Sequence, residues 1–199
     1  MKFINDHYIG ITTLLGIILS AVMIAFWKDW TVLQKTSVIL TDLLAMHLWE
    51  ENRFPGGFVE LCIAHLGVPA KVAESAGLVQ FYLIAGFGLA GAFIPQLPWL
   101  AMIINILGIF EGIVHTAMIK LFKLKKPYSP GMATGYATFI VGGYAAWYGT
   151  SSGIVGLWGW IGGIALMIGC FVIGQATVAK KSGMGYANLI RNVRSAIKS

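Results

Sequence analysis

From Ile9 to Trp27 no side chain is ionisable. A helix rising about 1.5 Å per residue crosses a bilayer core of about 30 Å in such a run. It also satisfies every backbone N–H and C=O inside itself, which hydrocarbon demands. The stretch is one of several. Only 11% of the 199 residues are charged and 57% are hydrophobic, against about a quarter charged in soluble domains. A water-facing surface cannot be covered with so little charge. The 25 glycines lie largely within the apolar runs, as in helices that pack closely in membranes. The pattern predicts an all-α membrane protein, a bundle of about six transmembrane helices. The first run is too long for the apolar region of a signal peptide, about 7–15 residues, and no A-x-A site follows. It is expected to be a retained helix.

The first run closes on Trp27-Lys28-Asp29-Trp30, an aromatic and charged interface signature. The second, Val32–Trp49, carries Gln34, Lys35 and Asp42 and ends in His47-Leu48-Trp49-Glu50-Glu51. Phe54-Pro55-Gly56-Gly57 then breaks the helix. Phe58–Ser75 is too short and polar to span and reads as an interfacial or re-entrant segment. Ala76–Ile94 and Leu97–Ile119 form a hairpin around Pro95 and Pro98. A basic loop, Lys120 to Lys126, leads to Tyr128-Ser129-Pro130-Gly131, where Ser129 is predicted to cap the helix that Pro130 opens. Ala133–Gly149 and Ile154–Ala176 form the last hairpin. Residues 1–176 thus make one transmembrane domain and 177–199 a basic tail. In the tail, Tyr186, Leu189, Ile190, Val193 and Ile197 share one helical face while Arg191, Arg194 and Lys198 share another, which predicts an amphipathic helix on anionic lipid.

Six helices put twelve of the fourteen Lys and Arg residues on one side and leave only Lys28 and Lys35 on the other. The positive-inside rule then makes both termini cytoplasmic, and the expected location is a bacterial inner membrane. The net charge of +6 is therefore a matter of topology and not of nucleic-acid binding. Cys62, in a loop, and Cys170, in an apolar helix, lie too far apart in unlike segments to suggest a disulfide framework.

Chemistry gathers at the cytoplasmic end. His47, Glu50 and Glu51 stand at i, i+3 and i+4, on one helical face. Glu111 and His115 stand at i and i+4 on another helix. The second and fourth helices run in the same direction, and Glu111 and His115 lie roughly 13 and 7 Å below Lys120, so the two pairs can meet. Ionisable groups at such depth face an interior and pair there. Imidazoles and carboxylates in this combination suit zinc or iron. The plainer readings are an interfacial helix end for His47 and its neighbouring acids, and a structural ion pair of Glu111 with Arg53 or His115. His7 and His65 fall on the same side, both with plain readings as surface residues. Asp42 is expected to bond another helix, Asn105 to act between helices, Gly108/Gly112 and Gly159/Gly163 to allow close packing, and Trp49 and Tyr128 to suit an interface belt.

His47-Leu48-Trp49-Glu50-Glu51 with Phe54-Pro55-Gly56, Glu111-Gly-Ile-Val-His115 and Tyr128-Ser-Pro-Gly131 together resemble the HXXEE-domain family of membrane proteins over about residues 40–175. The resemblance implies metal binding by His and Glu and leaves the reaction open. A fainter, local similarity is to emopamil-binding sterol isomerases, small helical bundles that place His and Glu for acid–base work on lipids. The leading expectation is a membrane enzyme using zinc or iron on a lipid-like or apolar substrate, by hydrolysis or oxidation. His47, Glu51, Glu111 and His115 are its ligands, Glu50 a further ligand or general base, Glu51 a second catalytic carboxylate and His65 a further ligand. Two alternatives stand beside it. One is a metal-free acid–base isomerase or cyclase acting on a lipid or isoprenoid. The other is a non-enzymatic transport or metal-handling protein, for which alternating access would need a homodimer because no inverted repeat is visible.

Overall fold

The computed structural model describes residues 2–181 and 183–198, and among them the chain forms eight helices and no strand. They are α1 (Lys2–Ala25), α2 (Val32–Asn52), α3 (Phe58–Leu66), α4 (Ala70–Phe93), α5 (Pro98–Leu121), α6 (Met132–Ser151), α7 (Leu157–Lys181) and α8 (Tyr186–Lys198). Four of them, α1, α4, α5 and α7, are long and apolar enough to cross a membrane. This is a membrane protein. α2 and α6 are long enough but fall short in composition. α2 carries Gln34, Lys35, Asp42 and the His/Glu cluster; α6 is rich in Gly, Thr and Tyr.

Several boundaries differ from those read in the sequence. α1 begins at Lys2, so His7 lies within the helix, its Nδ1 3.0 Å from the Phe3 carbonyl oxygen and its ring stacked on Phe3. The segment 58–75 is two helices. Gly67 ends α3 in the left-handed region at φ 59° and Pro69 begins α4, so 70–75 belong to a long helix and not to the interfacial piece. Cys62 consequently sits on α3 rather than in a loop. α2 opens with a capping box, in which Thr31 Oγ1 accepts from the Gln34 N–H and Gln34 Oε1 accepts from the Thr31 N–H.

α2 and α5 form the inside of the bundle. α5 packs against α2, α4, α6 and α7, and α2 also against α1, α4 and α6. Leu40, Leu44 and Leu48 of α2 meet Ile84 of α4 and Ile104 and Leu107 of α5 in the main apolar core. The α5–α6 contact is close because both faces are small. A Cβ at Gly142 would lie 2.5 Å from the Asn105 carbonyl oxygen, and one at Gly112 would lie 2.9 Å from that of Gly135. Thr138 Oγ1 donates across the seam to the Gly108 carbonyl, 3.0 Å away. Asn105 itself does not bridge helices; its Nδ2 donates to Ala101 on its own helix. Asp42 does reach another helix, accepting from Ser20 of α1. α7 is only 11% buried along its apolar window, and its outward side chains, among them Ile161, Ile168 and Ile173, are hydrophobic. In a membrane that face meets lipid tails.

The tail helix is less detached than its pattern suggests. Leu189 packs into a cluster with Val68, Val72, Ile63 and Val178, which ties α8 to α3, α4 and α7. Arg191 and Arg194 stay exposed on its other side, while the Ile197 and Lys198 side chains lie outside the described residues.

Candidate functional site

The last turns of α2 and α5 point at one another across the middle of one end of the bundle. His47 Nε2 lies 3.5 Å from Glu51 Oε1 and 3.5 Å from Glu111 Oε2. His115 Nε2 lies 3.3 Å from the same Glu51 oxygen and 3.9 Å from the same Glu111 oxygen. The two imidazoles meet edge to face, centroids 4.9 Å apart. All four residues are at most 4% exposed. His47 and Glu51 come from successive turns of α2, and Glu111 and His115 from successive turns of α5, so the i, i+4 spacing alone aligns each pair.

Three of these atoms stand out. His47 Nε2, His115 Nε2 and Glu51 Oε1 are buried and have no hydrogen-bond partner. Burying such atoms unpaired is costly. His47, Glu51 and His115 each offer one ligand atom, all within 4.8 Å of one another. Glu111 is held differently, because Gln80 Nε2 of α4 donates to its other oxygen at 3.1 Å.

The outer ring nitrogens are held by hydroxyls from one short segment. His47 Nδ1 is 3.0 Å from Thr134 Oγ1, and His115 Nδ1 is 3.1 Å from Ser129 Oγ. Between these two residues Gly131 roofs the site at φ 96°, its missing Cβ leaving just the space that the imidazoles fill. Phe58, at the start of α3, stands over the His115 ring with centroids 5.5 Å apart.

Glu50 stands apart from this group. Its carboxylate turns to the start of α6 and accepts from the N–H groups of Ala133 (3.1 Å) and Thr134 (2.8 Å), from the Thr134 hydroxyl and from Tyr128 Oη (2.8 Å). It therefore caps α6 from another helix. Ser129 does not cap α6; its hydroxyl faces the His115 ring and carbonyl. Gly131 occupies the N-cap position and has no side chain to cap with, so the orphan N–H groups go to Glu50. Burial first, and then the bond to Glu50, pushes the Tyr128 phenol from 10.0 up to about 12.

The other candidates lie elsewhere. His65 is exposed and stacks on Phe122, planes 9° apart and centroids 4.6 Å apart. His7 and Arg53 line a cleft of about 550 Å³ beside Trp49 and Asn52, and none of the four clustered side chains lines it. Arg53 thus does not pair with Glu111. Cys62 on α3 is half-buried, and desolvation and then the charge of Glu51 push its thiol up to about 12. Thr134 and Gln80 carried no mark in the sequence, because each contributes through contacts made only on folding; Gly131 was marked only as part of the Tyr128–Gly131 motif.

A family model described as "Protein of unknown function with HXXEE motif" matches residues 38–148. No curated protein and no solved structure matches the chain. The matched span runs from within α2 to near the end of α6 and so contains every described group named above as facing the cluster.

Proposed function

The chain belongs to the HXXEE family, and from that premise we propose that it is a metal-dependent membrane enzyme whose site is built by His47, Glu51, Glu111 and His115. The observation that carries this reading is the set of unpartnered atoms at its centre. Contacts of 3.3–3.9 Å are long for charge-assisted hydrogen bonds, about 2.7–2.9 Å. Three of the four, at 3.3–3.5 Å, match the edges of a coordination shell, since bonds of about 2.0–2.2 Å in a tetrahedron set ligand atoms roughly 3.3–3.6 Å apart; the His115–Glu111 separation of 3.9 Å is longer. Two imidazoles and two carboxylates also balance a divalent charge, so the set is far less costly to bury with a cation than without one. The donor set suits zinc or iron.

A divalent ion there would supply Lewis acidity for hydrolysis, or redox chemistry if it is iron. The chain's own residues do the rest. Phe58 and Gly131 cover the rings, and the start of α3 and the turn before α6 that carry them would have to part to admit a substrate. An apolar, lipid-like substrate fits a site placed between helices at the membrane surface. We place this end in the cytoplasm, with α1, α2, α4, α5, α6 and α7 crossing a bacterial inner membrane, because twelve of the fourteen Lys and Arg residues then lie inside.

One observation favours a second reading. All four ligand candidates are sealed from solvent, and closed sites are commonly structural while catalytic ones keep an open position. A metal-handling or structural site is therefore the alternative. Elemental analysis of protein purified without added metal, with melting measured before and after chelation, tests both. About one equivalent of zinc or iron and a lower Tm after chelation are expected. Absence of stoichiometric metal together with an unchanged Tm would sink the metal reading and leave acid–base chemistry on a lipid. Slow exchange with external metal and no turnover of any lipid would favour the structural role.

A further inference from the structure

Resting on the cation reading of this cluster, we propose that Thr134 and Ser129 lock His47 and His115 as Nδ1–H imidazoles, so that both Nε2 lone pairs face the centre, and that Glu50 is the positioning residue that aims the Thr134 hydroxyl. The argument is a proton count. A hydroxyl has one proton to give and lone pairs with which to accept. Thr134 Oγ1 lies against Glu50 Oε2 in the shortest contact of the set, with the Gly131 carbonyl at 3.3 Å and His47 Nδ1 at 3.0 Å. Glu50 already receives the Tyr128 hydroxyl and two backbone N–H groups; it is an acceptor, so Thr134 gives its proton there. What Thr134 turns to His47 is a lone pair. His47 Nδ1 must therefore bear the hydrogen.

Ser129 repeats the pattern without a carboxylate. Its Oγ lies 3.1 Å from the His115 carbonyl oxygen and 3.1 Å from His115 Nδ1. A carbonyl only accepts, so the Ser129 proton goes to it; the reverse would set two oxygen lone pairs against each other at that distance. His115 Nδ1 then carries its hydrogen too.

Each neutral imidazole has one N–H, and both are now spent on the outer side. The centre is left with two nitrogen lone pairs and a carboxylate oxygen, the very atoms that find no partner. With Glu51 and Glu111 ionised, that set contains acceptors and no donor, and only a proton or another cation closes it. The hydroxyls thus prepare the pocket for a cation before one arrives, as outer partners of metal-bound histidines do. Both hydroxyls belong to the stretch that holds Gly131, so one segment orients side chains from two helices.

The test uses the full chain in nanodiscs with ring-¹⁵N histidine; the chain has 4 histidines, few enough to assign by substitution. In metal-free protein, ¹⁵N spectra should show His47 and His115 with the hydrogen on Nδ1. Thr134→Val keeps the side-chain shape and leaves both backbone donors to Glu50, so α6 stays capped. It should shift His47 toward the Nε2–H form and weaken zinc binding about tenfold to a hundredfold, and Thr134→Ser should restore both. Ser129→Ala should do the same at His115, which keeps the inference testable if Thr134→Val does not fold. Folded variants with unchanged tautomers and unchanged zinc affinity would overturn the inference. A wild type that shows the stated tautomers, loses them in Thr134→Val and yet takes up no zinc would support the positioning role while refuting the metal reading.

Discussion

At Gly131 the backbone takes φ 96° and a Cβ would lie 2.6 Å from Cε1 and 2.7 Å from Nε2 of His115, and 2.8 Å from Cε1 of His47. Gly131→Ala therefore meets two penalties at once. The left-handed conformation alone costs roughly 1–2 kcal/mol for a residue with a Cβ, and the clash must push one ring off its line. A Tm lower by several degrees is expected, at about 2–4 °C per kcal/mol for a chain of this size, with a larger loss of bound metal than the stability change explains. Equal Tm and equal metal content in Gly131→Ala would show that the roof is softer than its geometry implies. The ligand substitutions separate in a different way. Glu51→Gln keeps shape and removes a charge; His115→Ala removes a ring and leaves a hole. Both should lose more metal affinity than the tenfold to hundredfold typical of an outer partner, whereas His65→Ala should lose none. Metal content by mass spectrometry decides it, and normal content in Glu51→Gln would remove that residue from the ligand set.

Between elements the telling contact is Glu50 of α2 at the head of α6. Tyr128→Phe removes one of its donors and, for a partly exposed bond, should cost about 1 kcal/mol. The pH sign follows from the phenol. Its folded value, about 12, lies above the ordinary 10.0, so the fold prefers the neutral form. That contribution is complete below pH 10 and is lost as pH rises through 12. The Tm gap between wild type and Tyr128→Phe should therefore be constant from pH 7 to 9 and shrink above 10; a gap that widens in alkali would contradict the assignment. How much of this could be read beforehand divides along the same line. Helix periodicity placed His47 with Glu51, and Glu111 with His115, because i, i+4 neighbours share a face whatever surrounds them. Glu50 shares that face only loosely, being three residues from His47 and next to Glu51. Its direction was decided by the orphan N–H groups of α6, a partner 83 and 84 residues away. Ser129-Pro130 read as a cap because the local pattern is one, and nothing local reveals that Gly131 takes the N-cap position. The break inside 58–75 was legible at Gly67 and Pro69 but was masked by the polarity of residues 71–75.

For the whole molecule, the membrane assignment rests on α1, α4, α5 and α7; the proposed crossing of α2 and α6 is what a topology test decides. Single cysteines at positions 30 and 152, in the turns after α1 and α6, should be labelled by an impermeant thiol reagent only from the side opposite the tail. Labelling of both from the tail side would rule out the topology. The α2–α5–α6 arrangement also bears on how the protein is made. The first proposed ligands leave the ribosome by residue 51, the next by residue 115, and the hydroxyl facing His47 only at residue 134. A chain stopped after α5 holds His47, His115, Glu50, Glu51 and Glu111 with neither their outer hydroxyls nor a roof. On the proposed topology, the centre is completed only once α6 has joined the bundle, so α2 and α5 would wait with their ionisable groups lacking those outer partners. If the cluster binds a cation as proposed, biogenesis, more than the mature fold, is where it would be exposed to the wrong ion.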